Sequence, residues 1–195
     1  MGKEKYLGEI EDLFKKSPVV SYKSIERLIK NKKNVKQYSK QLVRNLLLKG
    51  KIKKLAKGCY TSFDDASLAV FCFKPAYLGL QDALSAHNLW EQETIPIIIT
   101  ARKARNGIRK IMGANVLIRR IDKKYFFGFD YADSGNYHLP YSDIEKTFVD
   151  MVYFKERLSD ETIKEIKKRL SKSRLNSYLK AYPKKIRNKA LNLLN

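Results

Sequence analysis

Cysteine and histidine are scarce in this sequence, with two residues of each among 195. Cys59 and Cys72 are too far apart for a CxxC pair, and only His87 and His138 are available to join them. A structural zinc site or a disulfide framework needs more of these residues at closer spacing. We therefore predict no metal site, and we expect both cysteines to lie in apolar surroundings as small hydrophobic side chains.

The sequence also lacks a long apolar run, either of the signal-peptide kind or of membrane-spanning length. It has no Gly-rich phosphate-binding loop and no Ser-His-Asp order of the hydrolase kind. The stretch Asp122-Lys123-Lys124 superficially fits the end of a nuclease site, but no strand carries the earlier acid that such a site requires. These absences predict a soluble, cytoplasmic protein with no catalytic residues, no cofactor and no membrane partner.

Acidic residues are missing altogether between Arg27 and Gly58, where 12 side chains are Lys or Arg. The formal net charge of +21 is unevenly spread, with +12 on residues 1–62, zero on residues 63–154 and +9 on residues 155–195. A basic run of this length repels itself unless a polyanion neutralises it. The two basic ends therefore favour nucleic acid as a partner, although a solvated basic face is the simpler alternative.

Within the acid-free stretch, apolar residues recur at helical spacing. Gly50 marks the end of this predicted helix, whose apolar face carries Val35, Tyr38, Leu42 and Leu46. The segments KIKKLA and CYTS then predict two strands, joined by a turn at Lys57-Gly58.

Two shorter helices are predicted before this one. The first has an apolar face of Tyr6, Ile10, Leu13 and Phe14, and the second follows an N-capping Ser21 and carries Ile25, Leu28 and Ile29. Val20 and Ile25 have the spacing of a hydrophobic staple, and residues 31–34 form the turn into the third helix. Helix, helix, turn, helix and hairpin are typical of a winged helix-turn-helix. We predict this domain at residues 1–62.

The polar face of the third helix and the lysines of the hairpin are the candidate DNA-binding residues. Arg matches guanine O6 and N7, Gln matches adenine N6 and N7, and hairpin lysines suit phosphates or the minor groove. The candidates are Lys36, Gln37, Lys40, Gln41, Arg44, Lys53, Lys54 and Lys57. Alternatively, Lys40 and Arg44 contact phosphates only, and the DNA sequence is read partly through its shape.

Residues 63–154 predict an α+β domain. We expect helices at 64–73 and 77–90 and after a capping Ser142, strands at 95–100, 114–121 and 125–131, and a short edge strand within 136–141. A loop or hairpin before the second of these strands carries a second basic cluster, Arg102, Lys103, Arg105 and Arg109. It could extend a DNA footprint, contact RNA or an acidic partner, or be a solvated tip.

Three residues of this domain are of types that often act in catalysis, but their positions in the sequence favour structural roles. His87 lies on an apolar helical stripe, which predicts a core histidine. Glu145 and Lys146 are adjacent and so point in different directions on a helix, which favours a capping or interdomain role. Residues 155–195 predict a basic helical tail that packs on the middle domain or on a second copy of the chain.

Segments of residues 10–154 carry a family resemblance: YLGLQDALSAHNLW from Tyr77, the Phe126-Phe127-Gly128 triplet, and Asp143, Glu145, Lys146 and Asp150 in DIEKTFVD. Together they resemble the AbiEi family, the antitoxin and transcriptional-regulator half of type IV toxin–antitoxin (abortive infection) systems. The resemblance implies that the winged helix binds an inverted-repeat operator and represses its own operon. It also implies a neighbouring nucleotidyltransferase-like toxin, which is counteracted without a stable complex being required.

Two hypotheses follow from these observations. The first is a sequence-specific DNA-binding regulator, with a two-fold homodimer as the assembly that matches an inverted repeat. The second is an RNA-binding module that protects the RNA substrate of the toxin, using the second basic cluster and the tail. They differ in the ratio of specific to nonspecific binding, which must be large only for the first.

Overall fold

The computed structural model describes residues 6–29 and 33–194. These form two compact units, one with the described residues up to Cys72 and Lys110–Ala114, the other with Phe73–Arg109 and the residues from Asn115 onward. This division differs from the predicted boundaries at residues 62 and 154. In the described ranges, no helix is long and apolar enough to cross a membrane.

The first unit contains the three helices and the hairpin expected from the sequence. The helices are α1 (Leu7–Lys16), α2 (Tyr22–Leu28) and α3 (Val35–Leu48). An antiparallel sheet has the order β1-β3-β2 and consists of β1 (Val20–Ser21), β2 (Lys53–Ala56) and β3 (Cys59–Thr61). The predicted turn at residues 31–34 lies outside the described residues, except for Lys33 and Asn34.

Side-chain caps fix the starts of two of these helices. The Ser21 hydroxyl accepts a hydrogen bond from the Ser24 backbone at 3.1 Å, as predicted for α2, and the Asn34 carboxamide accepts one from the Gln37 backbone at 3.2 Å in α3. One face of each helix then packs into a single core, whose buried members include Ile10, Phe14, Ile25, Val43, Leu46 and Ile52. The opposite face of α3 is therefore left to solvent.

A second sheet has six strands in the order β6-β7-β5-β4-β9-β8. The strands are β4 (Ala76–Leu78), β5 (Ile97–Thr100), β6 (Gly107–Ile111), β7 (Ala114–Arg120), β8 (Phe129–Asp133) and β9 (His138–Ser142). Pairing is antiparallel for β4–β5 and β8–β9 and parallel for β4–β9 and β5–β7. The structure is thus of mixed α/β class, and the predicted basic loop or hairpin corresponds to the β5–β6 loop together with β6.

The helix predicted at residues 77–90 is wrong in its first part. Ala76–Leu78 is the strand β4, and α4 covers only Leu80–Ala86. A central strand is buried on both faces and therefore reads as a continuous apolar run, which periodicity cannot distinguish from a buried helix. Gly79 separates the two elements, and a Cβ there would lie 2.5 Å from Ile99 Cδ1.

Three further predictions for this region need correction. Residues 66–73 form a 3-10 helix, Ala66–Phe73, rather than an α-helix. The strand expected at residues 125–131 begins only at Phe129, because Tyr125 ends a 3-10 helix, Lys123–Tyr125, and Gly128 has a left-handed φ of +71° that is incompatible with a strand. The expected edge strand in 136–141 is β9, which lies inside the sheet between β4 and β8.

The helices after residue 143 belong to the second unit. They are α5 (Ile144–Phe154), α6 (Asp160–Arg169), α7 (Lys172–Leu179) and α8 (Lys184–Leu194). Their predicted apolar positions Ile166, Leu175, Leu179, Tyr182 and Ala190 are buried in the same core as β4, α4 and α5. The sequence left open whether the helices after residue 155 pack on the middle domain or on a second copy of the chain. In the structure they pack on the middle domain.

A charged pair lies at the centre of this core. Lys146 Nζ donates to Asp150 Oδ1, one helical turn further along α5, and neither side chain is exposed. The Tyr77 hydroxyl donates to Asp150 Oδ2 at 2.7 Å, and Lys146 Nζ donates to the Tyr182 hydroxyl at 3.2 Å. The Lys146 ammonium also lies 5.3 to 5.9 Å from the ring centres of Tyr77, Phe127 and Tyr182. Burial lowers the pKa of Lys146 and raises the pKa of Asp150, and the opposite charge of each partner counteracts the shift of the other.

The residues around this pair have structural roles, some of which differ from prediction. Asp143, not Ser142, caps α5, since its carboxylate accepts a hydrogen bond from the Lys146 backbone at 2.7 Å. Glu145 Oε1 accepts one from the Ser171 backbone at 2.5 Å, so it anchors the start of α7. His87 is half-buried rather than part of the core, and its Nε2 lies 2.7 Å from the Ser142 carbonyl oxygen.

We predict that Lys146→Met destabilises the protein by about 3–5 kcal/mol, because it leaves the Asp150 carboxylate buried without its partner. Urea unfolding followed by circular dichroism measures this change. The matched control is Lys168→Met, since Lys168 is 68% exposed and pairs with Glu165 only at the surface. That control should stay within about 0.5 kcal/mol of the wild type. Equal effects of the two substitutions would contradict the role of the buried pair.

A pH-dependent contribution is predicted for Tyr178. Its hydroxyl donates to Asp143 Oδ2 at 2.6 Å, and burial, reinforced by this bond, raises the pKa of Tyr178 well above its ordinary value. Above about pH 10 the unfolded chain releases this proton and the folded chain retains it, so the free energy of unfolding decreases. Tyr178→Phe should therefore lose less stability between about pH 8 and about pH 11 than the wild type does.

Urea unfolding at the two pH values measures the difference. Tyr131→Phe is the control, since Tyr131 is 56% exposed on β8 and the substitution also removes one phenol. The prediction is contradicted if the two variants show the same pH dependence.

Candidate nucleic-acid interface

The solvent face of α3 gathers five of the residues predicted to contact DNA. Its side chains Lys36, Gln37, Lys40, Gln41 and Arg44 are all exposed, and they lie opposite the buried Leu42, Val43 and Leu46. The helix contains no acidic residue. This face therefore offers hydrogen-bonding amides set between positive charges.

Hydrogen bonds hold both glutamine amides in place along this face. Asn34 Nδ2 donates to Gln37 Oε1 at 3.0 Å, and Gln41 Nε2 donates to Asn45 Oδ1 at 3.1 Å. Each bond uses only part of the hydrogen-bonding capacity of a carboxamide, which has two donor hydrogens and two acceptor lone pairs. Both glutamines thus keep donors and acceptors for a ligand.

The lysines of the hairpin fall into two groups. Lys54 and Lys57 are exposed, as expected of phosphate contacts. Lys53 is half-buried, and its ammonium forms an ion pair with Asp64 at 2.7 Å. The structure therefore provides two exposed hairpin cations, together with a third whose charge is already partly neutralised.

Tyr22, a residue that the sequence analysis did not single out, connects the elements of this surface. Its hydroxyl donates to the Lys36 carbonyl at 3.1 Å and lies 3.1 Å from the Ser39 hydroxyl. Its backbone N–H donates to the Gly58 carbonyl at 2.8 Å, in the turn of the hairpin. Tyr22 thus ties the start of α2 to both α3 and the hairpin. Periodicity gives no sign of these contacts, since the partners lie 14 and 17 positions away for the hydroxyl.

The second predicted cluster lies in the β5–β6 loop and at the start of β6, and it is only partly available. Arg102, Lys103 and Arg105 are exposed. Arg109 is half-buried, with its guanidinium 5.2 Å from the centre of the Phe73 ring and an Nη2 that donates to the Arg105 carbonyl at 3.1 Å. Contacts within the fold therefore occupy much of the Arg109 side chain, which leaves less of it accessible to a ligand.

The helices α6 to α8 carry a third basic surface. Its exposed side chains are Lys164, Lys167, Lys168, Arg169, Lys172, Arg174, Lys180, Lys184, Lys185, Arg187 and Lys189. Some have acceptors in the fold: Lys168 pairs with Glu165 at 2.5 Å, and Arg169 donates to the His87 carbonyl at 2.6 Å. The remaining charge makes this surface suitable for a second polyanion contact.

The stretch considered as a nuclease motif has a structural role. Asp122 caps a short 3-10 helix, Lys123–Tyr125, and its carboxylate accepts a hydrogen bond from the Lys124 backbone at 3.1 Å. Over residues 6–29 and 33–194, the structure contains no group of three or more His, Cys, Asp or Glu side chains placed to hold a metal.

These observations define a mixed α/β protein with a basic surface on its first unit. No family model matches the chain, and no curated protein matches it. Among solved structures, it is similar to the RV2827C protein from Mycobacterium tuberculosis, with a TM-score of 0.62 and 12% sequence identity. The match covers 97% of this chain and 76% of the other. At this identity, the likeness shows a shared fold.

We predict that Tyr22→Phe weakens nucleic-acid binding about two- to tenfold, the equivalent of one lost hydrogen bond of about 0.5–1.5 kcal/mol. The physical reason is that α3 and the hairpin turn lose part of their common anchor, although every cationic side chain remains. Fluorescence anisotropy with a labelled duplex measures the affinity. The control, Tyr131→Phe, removes an exposed phenol and should leave the affinity unchanged. Wild-type affinity of Tyr22→Phe would show that the hydroxyl does not position the surface.

Proposed function

We propose that this protein is a sequence-specific DNA-binding transcriptional regulator whose first unit is a winged helix-turn-helix. In this proposal α2 and α3 are the helix-turn-helix, β2 and β3 are the wing, and α3 is the recognition helix. The observation that carries the proposal is the exposed, acid-free face of α3 with its two positioned amides. A surface that only neutralises phosphates has no need of ordered amides.

The dimensions of α3 agree with this role. It has 14 residues and is about 21 Å long, and the major groove, about 12 Å wide, admits an α-helix. Gln37, Gln41 and Arg44 would face base edges there. Lys54 on β2 and Lys57 in the hairpin turn would contact the phosphate backbone, which contributes affinity that depends on salt rather than on sequence.

We further propose that the protein is the autoregulating antitoxin of a type IV toxin–antitoxin pair, with a nucleotidyltransferase-like toxin as its functional partner. This part rests on the resemblance to the AbiEi family. The structure adds that two of the resembling segments meet: a Cβ on Gly128 would lie 2.8 Å from Lys146 Cβ. Because Lys146 and Asp150 are fully buried, these residues support a common fold rather than a reaction.

A second candidate function is favoured by the third basic surface. Exposed cations on α6 to α8 belong to the second unit and are suited to the backbone of an RNA. In this alternative, the protein shields the RNA substrate of the toxin, and the first unit grips nucleic acid only through its charge.

A homodimer is part of the DNA-binding proposal, since an inverted repeat presents the same half-site twice. Leu191 and Leu193, on the last turns of α8, are 42% and 36% exposed, which is consistent with an apolar contact to a second copy. Two chains per DNA fragment is the stoichiometry expected in sedimentation.

The test is binding to the DNA upstream of the protein's own gene, in competition with random duplex and total RNA, over a salt series. We expect the upstream fragment to be preferred by ~10³ or more. Gln41→Ala/Arg44→Ala should abolish this preference, because it removes one positioned amide and one guanidinium from the face of α3. The matched control, Lys184→Ala/Lys185→Ala, removes two exposed charges from α8 and should retain the preference.

Equal binding of all three nucleic acids, with the same salt dependence, would reject the regulator and leave only an electrostatic contact. Preference for RNA, lost in Lys184→Ala/Lys185→Ala but not in Gln41→Ala/Arg44→Ala, would instead support the second candidate.

A further inference from the structure

A hollow of about 390 Å³ lies at the beginning of α3, within the proposed recognition surface. Its lining consists of Lys33, Asn34, Gln37, Tyr38 and Gln41. Three of these five side chains are carboxamides, one is an aromatic ring and one is a cation. The hollow is therefore rich in groups that recognise the edge of a base and poor in groups that only neutralise a phosphate.

The two glutamines of the hollow offer a donor and an acceptor side by side. Gln37 Oε1 accepts one hydrogen bond from Asn34, so both hydrogens of its Nε2 remain available with one acceptor lone pair. Gln41 Nε2 donates one hydrogen to Asn45, so its other hydrogen and its Oε1 remain available. In the major groove adenine presents an acceptor, N7, beside a donor, the N6 amino group, which matches such an amide.

Guanine fits the same amide less well. It presents two acceptors, O6 and N7, so the amide oxygen would face a second oxygen without a hydrogen between them. A polar group left unpaired in a contact that excludes water is costly, which converts the mismatch into discrimination.

Tyr38 supplies the part of the hollow that fits the other base of an A·T pair. It is half-buried, and its ring packs edge-on against Tyr6 with 6.0 Å between the ring centres. This contact holds the ring in place on the floor of the hollow. Thymine carries an apolar C5 methyl group in the major groove, which cytosine lacks.

The spacing along α3 sets the order of the bases. Gln37 and Gln41 are four residues apart, a rise of about 6 Å, which is close to two base-pair steps of 3.4 Å. Arg44 follows after about 4.5 Å more, roughly one further step, and a guanidinium is suited to guanine.

From this geometry we propose that the hollow is an A·T-reading subsite, which deepens and rests on the proposed regulator function. Each half-site contains A·T pairs opposite Gln37 and Gln41, with the adenine N6 and N7 on the amides and a thymine methyl against the Tyr38 ring. A G·C pair lies on the side of Arg44.

The first experiment is selection of binding sites from a randomised duplex library, followed by sequencing. It is carried out with the full-length wild type, Gln37→Ala/Gln41→Ala, Arg44→Ala, and the hairpin control Lys54→Ala. The wild type should select a motif with two A·T positions beside a G·C position. Gln37→Ala/Gln41→Ala should lose enrichment only at the A·T positions, and Arg44→Ala only at the G·C position. Lys54→Ala should bind more weakly but select the same motif.

The second experiment changes single atoms of the selected site. Replacing the adenine opposite a glutamine by 7-deazaadenine removes N7 and should weaken binding about tenfold or more, whereas the same replacement outside the motif should have no effect. Replacing thymine by uracil removes the C5 methyl group and should weaken binding a few-fold in the wild type.

The outcomes separate the two levels of the proposal. Selection of no motif at all would reject the regulator function and the subsite together. A motif without A·T at the positions that depend on Gln37 and Gln41, or wild-type affinity for the 7-deazaadenine site, would reject the A·T-reading subsite and leave the regulator standing.

Discussion

The contact between the Lys146 ammonium and the Asp150 carboxylate determines how the second unit closes. Charges that are fully removed from water are tolerated only when each has a partner and the remaining hydrogen-bonding capacity is filled. Tyr77 on β4 and Tyr182 after α7 complete the site, so residues more than a hundred positions apart meet at one charged pair. The C-terminal helices are therefore joined to the sheet through a polar centre that the apolar core surrounds.

The first unit differs, because its described core contains no buried charged side chain and its buried polar residues, Ser39 and Thr61, carry only hydroxyl groups. A single phenol performs the corresponding linking role, because Tyr22 contacts α3 through its hydroxyl and the hairpin through its backbone. The proposed recognition surface thus depends on a residue that need not touch a ligand. In the proposed function the exposed hairpin cations Lys54 and Lys57 add affinity, while the amides on α3, which are held by neighbours, provide selectivity.

Much of this fold could be predicted from residue pattern, and the two misplaced strands share one cause. Caps and apolar periodicity located α1 to α3, the hairpin, β5, β7 and the helices from α5 onward. The strand β4 and the inner position of β9 were missed, since a strand covered on both faces looks like any other apolar run. Five exposed residues of α3 were foreseen, but the pairing of Lys53 with Asp64 and the burial of Lys146 depend on partners that only the folded chain brings close.

Close packing around Gly128 restricts which residue can occupy this position. A side chain at this position would begin 2.8 Å from Lys146 Cβ and 2.9 Å from Tyr178 Cε2, on a backbone at φ +71° that favours glycine. Two chains of the same fold can differ at most positions, as the 12% identity with the M. tuberculosis protein illustrates. At Gly128, by contrast, any side chain would meet both of these neighbours on a backbone that already favours glycine. We therefore expect glycine here in any sequence that packs this loop against Lys146 and Tyr178 in the same way.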